Sequence, residues 1–240
     1  MTRPSRRGAL GALLVVLLSQ CGGRGDDGSL QVKFYRIDGE TISRPDRRVI
    51  EAIARDAVSE ARRHLPQLPT PVVIRVQPEI DTGLERGENG TASQPNMVLW
   101  TVDPHHAGGV RHVAKTWLRT CLLHELHHLV RDAAVARTTM LDFVVSEGMA
   151  TAFQRDLTHA VPPWGKYTPD AAPWVEELRG LPTDPDHRRM WLRRHPDGRR
   201  WIGYKAGTYL VDRATRNSGR SPADLVTTST REVLRLAGSP

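Results

Sequence analysis

Val110 to Val130, VRHVAKTWLRTCLLHELHHLV, is the stretch on which the reading turns. Val113, Trp117, Leu118, Cys121, Leu122, Leu126 and Leu129 recur at helical spacing and predict one long amphipathic helix. Within it His124-Glu125-Leu126-His127-His128 fits H-E-x-x-H. Four residues is a little more than one turn, so His124 and His128 project from one face and their imidazoles can share an ion. Neutral imidazole is a good ligand for Zn²⁺. Glu125 sits about 100° round the helix from His124. That is too far for an equivalent ligand, but within reach of a water beside the ion, which is the place of a general base. The bland alternative is two histidines and a glutamate on a solvated helix face. A chance match in a chain of this size has a probability on the order of 2%.

A third ligand decides the subclass. A histidine six residues beyond His128 would extend the motif in the metzincin manner, but that position is Ala134, and Arg131 stands where that pattern needs glycine. Downstream lies Val145-Ser146-Glu147-Gly148-Met149-Ala150-Thr151. Glu147 is the sole acid between Phe143 and Phe153, in a segment predicted to be helical from Thr139 to Leu157. A carboxylate in such surroundings needs a partner, and two imidazoles with a metal would supply it. Gly148 is expected to let this helix approach the His124 helix closely. Thr151, one turn on, is a candidate to support the ligands, or a plain surface threonine. His127 points away from the metal face, and Cys121 reads as a small core residue.

Around this centre, Arg44 to Leu65 predicts a first helix, Val72 to Val76 a strand, and Met97 to Val102 a second strand. Asn89-Gly90 reads as a turn within a polar connection. The Met97 to Val102 strand is expected to form the sheet edge on which an extended peptide pairs. Val161 to Pro173 is proline-rich loop. Trp174 to Leu178, Asp186 to Arg194, Ile202 to Arg216 and Pro222 to Leu236 predict further helices. Helices dominate and no repeat occurs, so the expected fold is α+β, with a small sheet packed on a largely helical body in one domain, residues 31–240.

Before that domain, Arg3, Arg6 and Arg7 precede the short apolar run Ala9 to Leu18, which is too short to span a bilayer. Leu18-Ser19-Gln20-Cys21 resembles a bacterial lipobox, with Gln20 where a small residue is usual. Residues 1–21 are therefore expected to be an export signal, with lipid on Cys21 anchoring the protein to the outer face of the cytoplasmic membrane. Residues 22–30 are expected to form a flexible tether; without the lipid the protein would be secreted. The only other cysteine is Cys121, so no disulfide is expected. The formal net charge of +7 includes the three leader arginines. The Arg188–Arg200 cluster reads as a solvated face, and no nucleic-acid partner is expected.

H-E-x-x-H followed by Glu-Gly at this distance is similar to the gluzincin metallopeptidases, and Glu147-Gly148-Met149-Ala150-Thr151 resembles a segment of the M1-type aminopeptidases. The chain lacks their exopeptidase signature. A closer resemblance is to a bacterial family of predicted zinc-dependent proteases of unknown function, through the metal motif, the Glu147-Gly148 pair and Ile202-Gly203-Tyr204. The resemblance implies a zincin-like fold and a zinc-dependent peptidase, with His124, His128 and Glu147 on the metal and Glu125 as base; an endopeptidase is the first expectation. Such a site usually has a further donor for the oxyanion; Tyr204 is the first candidate and His195 the second. The competing expectations are a non-catalytic surface lipoprotein that binds a partner through the same fold, and a hydrolase of a non-peptide amide or ester.

Overall fold

The computed structural model describes residues 28–37, 39–80, 82, 85–168 and 171–239. The expected signal segment, Cys21 and most of the tether lie outside the described residues. The last tether residues belong to the fold: Ser29 accepts a hydrogen bond from Arg62, and Leu30 opens the first strand.

The architecture is α+β, a small mixed sheet against a largely helical body, in keeping with a zincin-like chain. β1 (Leu30–Phe34), β2 (Val72–Pro78), β3 (Glu88–Gln94) and β4 (Met97–Val102) lie in the order β1-β2-β4-β3. β1, β2 and β4 are parallel and β3 runs antiparallel to β4. This corrects two expectations. Met97 to Val102 is an inner strand, and β3 is the edge beside the helix that carries His124 and His128. Asn89-Gly90 lies within β3, paired with Thr101 and Trp100, because β4 offers a hydrophobic partner that overrides the local turn preference.

α1 (Arg44–His64) starts at Ser43, whose hydroxyl accepts from the Asp46 amide, with Pro45 in the first turn. Its face of Ile50, Ala54, Ala57, Val58 and Ala61 packs under the sheet. The segment expected as one helix runs from Gly109 to Ala134 as α2 (Gly109–Val113), a π-helical turn (Ala114–Leu118) and α3 (Arg119–Ala134). α4 (Met140–Thr158) is held at its start by a reciprocal cap between Thr139 and Asp142. α5 (Ala171–Leu178), α6 (Pro185–Leu192), α7 (Ile202–Ser218) and α8 (Thr230–Leu236) complete the body.

Pro222 to Ser229 is not helical, contrary to expectation. Buried Arg131 donates to the carbonyls of Val226 and Thr228, giving those groups partners that a helix would otherwise supply.

The core has two parts. One lies between the sheet, α1 and α3, with Trp100, Leu122 and Leu126. The other lies between α4, α7 and α8, with Val145, Leu210 and Val233. α4 and α7 cross in backbone contact at Gly148 and Gly207: a Cβ on Gly148 would stand 2.1 Å from the Gly207 carbonyl carbon. Gly148 therefore serves the α4–α7 crossing, not an approach to α3. Among the described residues no helix is long and apolar enough to cross a membrane.

Candidate metal centre

His124 and His128 lie one turn apart on α3, and Glu147 is in the middle of α4, which packs against it. The His124 Nε2 to His128 Nε2 distance is 3.1 Å. Glu147 Oε2 is 3.2 Å from His124 Nε2 and 3.4 Å from His128 Nε2. Both histidines are buried. Tetrahedral bonds near 2.0–2.1 Å place neighbouring donors about 3.4 Å apart, so three such atoms fit three corners around one zinc-sized ion. Two facing imidazole nitrogens and a carboxylate oxygen also converge several lone pairs on one point, which a cation relieves.

The tautomer follows from the next neighbour. His128 Nδ1 lies 3.1 Å from Ser146 Oγ, so an Nδ1–H donating to that hydroxyl leaves the Nε2 lone pair facing the cluster. Burial alone would lower the pKa of His128, but Glu147 carries it up to about 8. Burial would raise Glu147, yet His128 and then His124 hold its carboxyl well below the usual range. The mutual pull is that of a preformed cluster of opposite charge.

Glu125 stands outside the trio. Its Oε2 accepts a hydrogen bond from the Ala92 amide of β3 at 2.8 Å, and the residue is buried. The strand comes this close because residue 90 has no side chain: a Cβ there would lie 2.4 Å from Cys121 Sγ and 2.9 Å from Glu125 Cγ. Cys121 is buried, and burial followed by Glu88 and Glu125 pushes its thiol well above the ordinary value. It is held as a neutral thiol beside Gly90 of β3.

Tyr204, in the first turn of α7, stacks on His124 with centroids 6.3 Å apart and planes 23° from parallel. Burial, then the Glu147 carboxylate, push its hydroxyl well above the ordinary phenol value. The structure thus brings Tyr204 to the cluster. It does not bring His195 there. The His195 ring lies on Trp191 with centroids at 4.4 Å, and its Nδ1 is 2.9 Å from Asp197 Oδ1. Among the described residues no hydrogen bond, ion pair or ring contact joins His195 to His124, Glu125, His128 or Glu147. His127 is buried against Phe153 at 5.4 Å, and burial pushes its pKa well below the ordinary value. Thr151 is buried beside the loop at Gly165, not on the surface.

Ser146, Gly90 and Ala92 escape a reading by sequence alone. Ser146 had no signal, because it meets His128 only where α4 packs on α3. Gly90 and Ala92 had none, because their role depends on where the strand lies.

A family model described as "Predicted Zn-dependent protease (DUF2268)" matches residues 50–235. No curated protein and no solved structure gives a match.

Proposed function

The chain belongs to this family of predicted Zn-dependent proteases, and from that premise we propose that it hydrolyses peptide bonds with one zinc ion held by His124, His128 and Glu147. The observation that carries the reading is the separation of roles: three donors lie within 4.8 Å of one another, and a fourth ionisable group, Glu125, lies beside them without joining the set. A purely structural metal site has no use for that carboxylate. Zinc, when bound, supplies the Lewis acid that polarises the scissile carbonyl and acidifies a water.

The chain's own groups do the rest. Glu125 takes the proton from the attacking water and delivers it to the departing amine. Its bond to the Ala92 amide fixes the carboxylate in place between those transfers. Tyr204 stays protonated and offers its hydroxyl to the oxygen that gains negative charge. β3, the edge strand against α3, is the place for an extended substrate to add as a further strand. The sequence supports export and lipid attachment at Cys21 as the setting for this activity.

Glu125→Gln tests the reading. It keeps the size and hydrogen-bonding shape and removes the base. Zinc content should match the wild type, and peptide hydrolysis should fall by at least about 100-fold. Unchanged hydrolysis would remove Glu125 from the mechanism.

A further inference from the structure

A chain of contacts shuts one end of the site. Tyr204 stacks on His124, the Trp201 ring meets Tyr204 with centroids at 5.5 Å, and Trp164 meets Trp201 at 5.9 Å. The Arg86 guanidinium then lies 4.3 Å from the Trp164 centroid and 5.3 Å from that of Trp117. Trp117 sits in the π-helical turn that leads into α3. The circuit begins and ends on the helical segment that bears the metal ligands, and it crosses from α7 to the start of β3.

The position of this wall follows from the direction of the elements. β3 and α3 run the same way, since Gly90 lies against Cys121 and Ala92 against Glu125. Arg86 precedes β3 and Trp117 precedes α3, so the stack stands across the end marked by both beginnings. Arg200 and Glu85 meet at 3.7 Å between the same two segments. Ala92, where the strand meets Glu125, is four residues from Glu88, and the Arg86 guanidinium reaches forward to the Glu88 carboxylate at 2.7 Å. At about 3.3 Å per residue, the space between the scissile bond and the wall takes no more than about four residues of extended chain.

The wall is also cationic. Arg86 gives one guanidinium nitrogen to fully buried Glu88 at 2.7 Å, whose other oxygen accepts from the Trp100 indole at 2.9 Å. The Arg86 side chain as a whole is 19% exposed. Arg193 is exposed nearby, its carbonyl accepting from the Trp201 amide at 2.8 Å, while exposed Glu85 faces Arg200. A peptide added antiparallel to β3, the more stable pairing, runs its C-terminus toward this wall. A terminal carboxylate matches the charge there, whereas a terminal ammonium does not.

We propose that the protein trims short segments from the C-terminus of peptides, with Arg86 binding the free terminal carboxylate. The proposal rests on the peptidase reading above. Each turnover adds one water across one amide: the C–N bond breaks, the water oxygen joins the carbonyl carbon, and the amine leaves with a proton.

The test uses the full-length, zinc-loaded chain and matched peptides ending in a free acid or an amide, with products identified by mass spectrometry. Cleavage is expected within about four residues of the C-terminus. It should follow that end when the peptide is lengthened, with kcat/KM at least about 10-fold higher for the acid. Arg86→Ala should bring the acid-to-amide ratio toward one through KM, and Arg86→Lys should retain part of it. Binding to Glu125→Gln, measured by calorimetry, should show the same preference without turnover. The acid-to-amide comparison on the wild type needs no variant, so a misfolded Arg86→Ala leaves the test intact. Equal rates for acid and amide, or cuts spread along a long peptide, would overturn the trimming proposal and leave the peptidase reading standing. Failure of the zinc-loaded wild type to cut any peptide would overturn both.

Discussion

Gly148→Ala should weaken the protein, although alanine is the better helix former. Its Cβ would stand 2.1 Å from the Gly207 carbonyl carbon and 2.3 Å from the Gly207 oxygen. Ordinary contact begins at 3.4 Å, so α4 and α7 must part by more than 1 Å on the order of a bond length. The obstructing atoms are backbone and cannot rotate aside. Overpacking of this kind costs about 3 kcal/mol at the upper end of its usual range. The gain in helix propensity returns about 1 kcal/mol, leaving a net loss of about 2 kcal/mol. For a domain of this size the melting temperature should drop by roughly 4–8 °C, read by differential scanning calorimetry of the zinc-free protein. Function should suffer as well. Glu147 adjoins Gly148 and Tyr204 lies three residues before Gly207 on α7, so the parting separates the cluster from its phenol. A displacement near 1 Å can lower kcat by up to about 100-fold. A melting temperature equal to or above that of the wild type would mean that only the propensity gain is felt, and the backbone crossing would be refuted.

The proposed zinc ligands can be checked by elemental analysis: His124→Ala and His128→Ala should abolish retention, and Glu147→Ala should weaken it strongly. Ser146→Ala should weaken zinc affinity by about 10- to 100-fold in a competition titration, since it removes the group that orients His128; an unchanged affinity would deny it that role. At the start of α4, burial alone would raise the Asp142 carboxyl, but Thr230, Thr139 and Thr138 hold it below the ordinary value. A depressed native pKa stabilises the fold above the unfolded value near 3.9 and loses that contribution as pH falls through the native value. Asp142→Asn should therefore cost about 1 kcal/mol at neutral pH in urea unfolding, with the gap closing in acid. Cys21→Ser should shift the protein from the membrane fraction or block its processing; a wild type already soluble would exclude the lipid and leave export open.

The helix of the candidate metal centre was legible because periodicity and a four-residue repeat are local properties of α3. Glu147 was legible because one acid among apolar neighbours needs a reason. β3 was misread because Asn89-Gly90 looks like a turn until β4 pairs with it, and its inward residue Glu88 is polar. The inner position of β4 was equally hidden, as strand order leaves no mark on a six-residue hydrophobic run. Tyr204 could be nominated from a resemblance, but its stacking on His124 depends on the glycine crossing of α4 and α7. The wall of Arg86, Trp117, Trp164 and Trp201 draws on four separate segments, so no sequence window contains it.

The strand order also sets how the molecule carries load. β1 and β3 occupy opposite edges, three strand spacings or roughly 14 Å apart. Tension applied through the N-terminal segment enters at Ser29 and Leu30. There Arg62 clasps the Ser29, Leu68 and Pro69 carbonyls, and the parallel β1–β2 ladder takes the force in shear along its length. A leash, fusion partner or solid support joined at that point pulls on α1 and β2, while β3 and the Glu125 carboxylate remain on the unloaded side of the sheet.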